Sequence, residues 1–173
     1  MSNYKELGDL LKYIQPTDYI VSSEQYNDQY ETPVLTPGKS FLLGFTNDTK
    51  GIYNASKDRP IILFDDFTTS IQWVDFPFKV KSSACKILVP KEDVDLKFVF
   101  YAMKNIDINT SSHKRYWISI YSKIKIYYPD VEERKAIIEE LSLINEAIEI
   151  NKKRIHFYEE LLKKKIDSYF NRR

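Results

Sequence analysis

Asp65 and Asp66 are the pair of side chains in this sequence with the clearest potential for chemistry. Adjacent carboxylates at the end of an apolar run, Ile61-Ile62-Leu63-Phe64, can hold a divalent metal in a nuclease. Such a site needs further acidic and lysine ligands at defined spacing, and none is evident here. The competing reading is that both carboxylates terminate a buried strand and hydrogen-bond the turn through Thr68-Thr69-Ser70. His113 and His156 are isolated from each other, and Cys85 is the single cysteine, so no zinc ligand set exists. No glycine-rich phosphate loop of either common spacing occurs, and no motif of the kind a methyltransferase uses for its cofactor and target amine. The expectation is a chain that catalyses nothing alone, binds no metal and needs no cofactor of its own.

Charge points instead to a polyanion. The net charge of +1 hides an asymmetry: residues 1–78 carry 6 basic and 11 acidic side chains, residues 79–130 carry 10 and 5, and residues 131–173 carry 10 and 9. Lysine and arginine displace the counterions condensed on nucleic acid, so the basic middle suits DNA on one face. Within it, Thr110-Ser111-Ser112-His113-Lys114-Arg115 reads as a polar basic loop, followed by the aromatic pair Tyr116-Trp117. The bland alternative is an unevenly charged, solvated surface.

A head of about 130 residues must position these groups, and its pattern is that of short strands between turns. Residues 4–14 suit a short helix or an irregular strand ended by Pro16, and residues 22–32 a polar surface loop. Strands are expected at 33–35, 41–45, 61–64, 71–74, 78–80 and 85–89. Pro90 closes this block. Asp93 or Asp95 can cap a helix over 96–105, with Leu96, Val99, Phe100 and Met103 on one face. Residues 116–128 read as strand, with Ile124 and Ile126 alternating against Lys123 and Lys125. Cys85 lies in a strand and reads as a small buried hydrophobe.

Beyond Pro129 the pattern changes. Asp130 is a good N-cap, with Glu133 at the capping-box position. Core-type residues then step by four and three through Ile137, Leu141, Ile144, Ile148, Asn151, Ile155, Tyr158, Leu162, Lys165 and Tyr169. That 3.5-residue period is the seam of a coiled coil. A second stripe, Ile138, Leu143, Ala147, Ile150, Phe157 and Leu161, widens the apolar surface. Glu132 and Glu133 in the first turn, with Arg172 and Arg173 at the end, complement the helix dipole. About forty residues make a helix roughly 60 Å long, more than the head covers, so the helix calls for a partner. The expected division is a domain over 1–129 and a long helix over 130–173. No apolar run approaches a membrane span and the opening residues are polar, so the chain reads as cytosolic.

Several segments together resemble a known family, the specificity subunits of type I restriction-modification enzymes. Tyr4-Lys5-Glu6-Leu7-Gly8-Asp9-Leu10 is similar to the opening of their target recognition domain. Thr32-Pro33-Val34-Leu35-Thr36 followed by Gly38-Lys39-Ser40-Phe41-Leu42-Leu43-Gly44 is similar to the next block. The most specific stretch runs from Pro60-Ile61-Ile62-Leu63-Phe64-Asp65-Asp66-Phe67-Thr68-Thr69-Ser70 through Val74-Asp75-Phe76 to Ser82-Ser83-Ala84. His113-Lys114-Arg115-Tyr116-Trp117-Ile118, then Tyr128-Pro129, Glu133 and Ile137, complete the ordered set. Arg134 departs from the family's usual glutamine. The usual subunit carries two recognition domains and two long helices, whereas one of each stands here, so the resemblance implies a half-subunit.

What the resemblance implies is an α/β (α+β) recognition domain with a twisted, mainly antiparallel sheet, followed by one long C-terminal coiled-coil helix. It implies sequence-specific binding of double-stranded DNA at a bipartite site. A modification subunit would be the direct partner and a restriction subunit an indirect one, and these would own the S-adenosylmethionine, ATP and Mg chemistry. The expected DNA-binding residues are Lys39, Ser40, Thr68, Thr69, Ser70, Lys79, Lys81, His113, Lys114, Arg115 and Tyr116. The expected seam of an antiparallel homodimer is Ile137, Leu141, Ile144, Ile148, Asn151, Ile155, Tyr158 and Leu162. Two other readings remain open: a coiled-coil interaction module or truncated remnant that occupies modification subunits without directing them, and the small nuclease using Asp65 and Asp66.

Overall fold

The structure is a computed structural model and describes residues 3–38, 40–108 and 115–170. The chain divides into two compact units, Met1–Pro129 and Asp130–Arg173.

The first unit is built on three small sheets rather than one. β2 (Leu11–Ile14), β8 (Cys85–Pro90), β5 (Ile61–Asp65) and β6 (Ile71–Val74) lie side by side in that order, every neighbour antiparallel. β5 is central and fully covered, which is why it reads as an unbroken apolar run: Ile61, Ile62, Leu63 and Phe64 are all buried. β4 (Leu42–Thr46), β3 (Thr32–Leu35) and β7 (Lys79–Val80) form the second sheet, antiparallel between β3 and β4 but parallel between β3 and β7. β1 (Tyr4–Glu6) pairs with β9 (Lys125–Tyr127). Leu35, Ile61, Leu63, Val74, Phe78, Val80 and Ile87 belong to one hydrophobic core cluster. Mainly antiparallel pairing is thus present, but distributed over separate sheets.

Residues 4–14 turn out to be both of the expected things: β1 leads directly into a single helical turn, α1 (Leu7–Leu10), then into β2. Leu7, Leu10 and Leu11 are all buried, so the turn and the start of β2 together put three leucines inside. α2 (Leu96–Lys104) starts at Asp95, whose carboxylate accepts from the Phe98 N–H at 3.4 Å. Asp93, the other candidate cap, sits in the left-handed region at φ 58°.

One expectation fails. Residues 116–128 are not one strand: α3 (Tyr116–Ser119) and a 3-10 turn at Tyr121–Lys123 precede the short β9. Three aromatic side chains explain it. Tyr116, Trp117 and Tyr121 are all buried, and a helical turn brings the adjacent Tyr116 and Trp117 toward one side where a strand would point them to opposite faces. The Phe64 ring meets the edges of both Trp117 and Tyr121, with centroids 5.6 and 4.9 Å away.

The second unit is one helix, α4 (Val131–Phe170), 40 residues long. Asp130 Oδ1 accepts from the Glu132 and Glu133 N–H groups at 3.1 and 3.0 Å, the N-cap expected of it. Arg172 and Arg173 lie outside the described residues. No helix among the described residues is long and apolar enough to cross a membrane.

Candidate nucleic-acid interface

The β5–β6 turn is locked by its first residue. Asp65 Oδ1 accepts from the Phe67 and Thr68 N–H groups at 2.8 and 2.9 Å. The Thr69 N–H donates to the Asp65 carbonyl and the Asp65 N–H to the Ser70 carbonyl, both at 2.9 Å. Thr69 takes a left-handed conformation, φ 61°, which costs a β-branched residue energy and needs such framing. Its hydroxyl donates to the Thr68 carbonyl at 2.7 Å and also hydrogen-bonds the Tyr121 phenol. The Thr68 hydroxyl donates to Ser70 Oγ at 3.0 Å. The turn therefore uses much of its own hydroxyl capacity internally, while Phe67 stands exposed at its tip.

Asp66 points the other way, into the protein. It is 1 % exposed, and Oδ1 accepts from the Trp117 N–H at 2.8 Å while Oδ2 faces Lys86 Nζ at 3.6 Å. Its carbonyl accepts from the Tyr116 N–H at 2.9 Å. Lys86, equally buried, donates to Gln15 Oε1 and to the Ser83 carbonyl, each at 3.0 Å. Burial holds the Lys86 pKa below the ordinary 10.5; the Asp66 charge opposes that, and Arg115 adds to it. One buried carboxylate thus ties the turn after β5 to β8 and to the start of α3, the segment carrying Arg115. Asp65 and Asp66 are framework residues, and among the described residues no group of three His, Cys, Asp or Glu side chains could hold a metal.

Of the eleven residues expected at DNA, Lys39, His113 and Lys114 lie outside the described residues. Ser40, Lys81 and Arg115 are exposed, with Lys81 Nζ 3.4 Å from Glu24. Lys79 is not available: it is 4 % exposed and donates to the Lys50 and Gly51 carbonyls at 2.8 and 3.1 Å, with Asp48 at 3.3 Å. Gly51 permits this, since at φ 63° a Cβ there would lie 2.2 Å from the Asp18 carbonyl oxygen. Tyr116 is also buried, so neither it nor Lys79 can reach DNA directly.

The structure brings Thr69 and Ser70 to a groove of about 380 Å³ that sequence reasoning did not anticipate. Gly38, Gln72 of the edge strand β6, and Met103, Lys104 and Ile106, at and just past the end of α2, line it as well. Lys104 Nζ rests 5.3 Å from the Phe100 ring centroid, and two turns earlier Lys97 Nζ sits 4.3 Å from that of Trp73. In the sequence Gln72 reads as an interior strand residue and Lys104 as a helix-end cation, so only the packing of α2 beside β6 places both along one groove. A hydroxyl, a carboxamide and an ammonium along one groove match base edges and phosphates. A larger cavity of about 670 Å³ beside β3 and β4 is walled by Phe41, Phe45, Phe76 and other mainly apolar groups; among the described residues Glu31 is its single ionisable one.

On α4 the apolar stripes are open. Ile144, Ile148, Ile155, Tyr158 and Leu162 of the seam are all exposed, as are Leu143, Ile150, Phe157 and Leu161 of the second stripe. Ile137 and Leu141 are half-buried, and the Asn151 amide donates to the Ala147 carbonyl at 2.9 Å. An exposed face this apolar marks an interaction surface.

Residues 1–157 match the family described as the type I restriction modification DNA specificity domain. The chain is 50 % identical over 139 residues to the type I restriction enzyme EcoR124I/EcoR124II specificity subunit of Escherichia coli, covering 77 % of this chain and 34 % of that protein. Its fold is similar to the crystal structure of the type I restriction-modification S subunit from M. genitalium, with a TM-score of 0.67, 18 % identity, and coverage of 93 % of this chain and 43 % of that one. The HsdS subunit from Thermoanaerobacter tengcongensis gives a TM-score of 0.53 at 14 % identity, covering 87 % and 39 %. The chain spans about a third of the curated relative's length and about two fifths of these structures. A match over nine tenths of the sequence and one half-identical relative together establish that this chain belongs to the type I restriction modification DNA specificity domain family.

Proposed function

We propose that this chain recognises a specific sequence in double-stranded DNA on behalf of a modification enzyme, and performs no catalysis itself. The family match over residues 1–157 carries this reading, because it spans both the head and most of α4. The head supplies the reading surface around the β5–β6 turn, Arg115 and the neighbouring groove. The exposed seam of α4 takes a second long helix, and the other stripe offers a modification subunit its contact. A restriction subunit would join through that complex. Methyl transfer from S-adenosylmethionine and ATP-driven, Mg-dependent cleavage belong to those partners, in the cytoplasm where the DNA lies.

Antiparallel pairing of two copies through α4 would present two identical reading surfaces related by a two-fold axis, so each copy would meet the same half-site, inverted. The expected target is an interrupted palindrome with a fixed spacer. The test is to express the chain as the sole specificity component with a modification subunit and to map methylated sites across a genome. Methylation confined to one interrupted palindrome supports the reading in full. An asymmetric bipartite target keeps DNA recognition but replaces the identical partner by a different half. Methylation without sequence preference, with the chain bound to the modification subunit, leaves only an interaction module.

A further inference from the structure

We infer that Gln72 is a base-reading residue of this domain and that it takes the adenine edge of an A·T pair, with Lys104 holding an adjacent phosphate; this rests on the DNA-binding reading above. Gln72 pairs with Leu63 and its strand neighbour Val74 pairs with Ile61, so on this face of β5 and β6 the other three residues are apolar and buried. An apolar side chain at position 72 would extend that core, and a half-buried carboxamide gains less from the same place. Yet Gln72 makes no side-chain hydrogen bond among the described residues, so no protein partner accounts for its chemistry.

Its surroundings account for it better. β6 is the edge strand of its four-stranded sheet, so it is the strand that a duplex can approach from outside. Gln72 lies along the open groove with Ser70 and Lys104, and Ile71 and Ile106 line the same groove. A carboxamide offers one donor and one acceptor side by side, matching adenine N7 and N6–H. Apolar neighbours suit the methyl group of the paired thymine. Lys104 forms no ion pair among the described residues, and its ammonium is free to meet an anion while resting on Phe100. The turn hydroxyls, by contrast, are largely engaged with one another. That leaves Gln72 with the best hydrogen-bonding capacity for an external base.

The full chain can be tested by selecting duplexes from a randomised pool and measuring affinity for the winners. Wild type should require an A·T pair at one position. Gln72→Met keeps the length of the side chain and removes the amide; it should flatten that single position and weaken the best duplex roughly 5- to 150-fold. Gln72→Glu should move that position toward cytosine, whose N4–H a carboxylate accepts. Lys104→Ala should weaken all duplexes alike and reduce the salt slope by about 0.9. Gln72→Met and Gln72→Glu chains that melt like wild type and still select the wild-type sequence with unchanged affinity would overturn the assignment. A wild-type chain that selects no sequence would overturn the recognition reading itself, a different failure.

Discussion

Replacing Asp66 by Ala should cost the fold several kcal/mol, and the cost should shrink as the pH rises. The variant leaves the Lys86 ammonium, 1 % exposed, with two neutral acceptors, Gln15 and the Ser83 carbonyl. Removing one partner of a buried pair costs about 3–5 kcal/mol, because the other charge stays behind. Lys86 can escape by losing its proton. From the ordinary pKa of 10.5, neutralising a lysine at pH 7 costs about 4.8 kcal/mol, so the charge part of the penalty cannot exceed that ceiling. The orphaned Trp117 N–H adds about 1–3 kcal/mol. The sum is about 4–8 kcal/mol, comparable with the whole stability of many domains. The pH dependence follows from proton counts. A neutral Lys86 in the folded variant binds one proton fewer than in the unfolded chain, so stability rises by about 1.4 kcal/mol per pH unit until the unfolded pKa is passed. Asp66→Asn combined with Lys86→Met keeps an acceptor for Trp117 and removes both charges; it should lie within about 2 kcal/mol of wild type. Urea titrations at pH 7 and 9 measure all of this. A single Asp66→Ala variant within about 1 kcal/mol of wild type at pH 7 would refute the claim that Lys86 depends on Asp66.

Replacing Ile144 and Ile148 by Asp, in the open seam, should convert a dimer to a monomer in sedimentation at micromolar concentration; a wild type that is monomeric there defeats the pairing. Deleting the heptad 148–154 shortens α4 by about 10 Å, so the spacer of the methylated target should contract by roughly three base pairs. Converting Lys114 and Arg115 together to Ala should lower the salt slope of DNA binding by about 0.9 for each phosphate that is no longer neutralised, and unchanged binding removes this segment from the interface. Burial pushes the Cys85 thiol up to about 11, so alkylation at pH 8 should be slower by about two orders of magnitude or more in the folded chain than in urea; equal rates would place the thiol at the surface.

The elements legible in the sequence are those whose signals are local. β5 announces itself by four consecutive apolar residues, α2 by a capping aspartate before an apolar face, and α4 by a 3.5-residue period behind Asp130. Residues 116–128 mislead because their path depends on a carboxylate fifty positions earlier: Asp66 takes the N–H groups of Trp117 and, through its carbonyl, of Tyr116. The alternation at Ile124 and Ile126 masks the aromatic spacing that sets the helical path. The candidate interface is legible in part. The β5–β6 turn and the exposed Arg115 are visible as chemistry, but Gln72 and Lys104 come to line one groove from segments that no short-range pattern connects.

Buried lysines mark the limit of reading charge from a sequence. The basic middle, residues 79–130, holds 10 basic and 5 acidic side chains, an excess of five. Two of its lysines, Lys79 and Lys86, are buried against Asp48 and Asp66, which both belong to the acidic first segment. Setting those pairs aside leaves 8 basic against 5 acidic in the middle, and 6 basic against 9 acidic in residues 1–78. The asymmetry falls from +5 and −5 to +3 and −3. Counterion release depends only on cations that reach phosphates, and neither buried ammonium can. In the proposed recognition role the head would meet DNA with fewer cations than its composition suggests. Its affinity would then rest correspondingly more on base-edge contacts, which is where specificity is read.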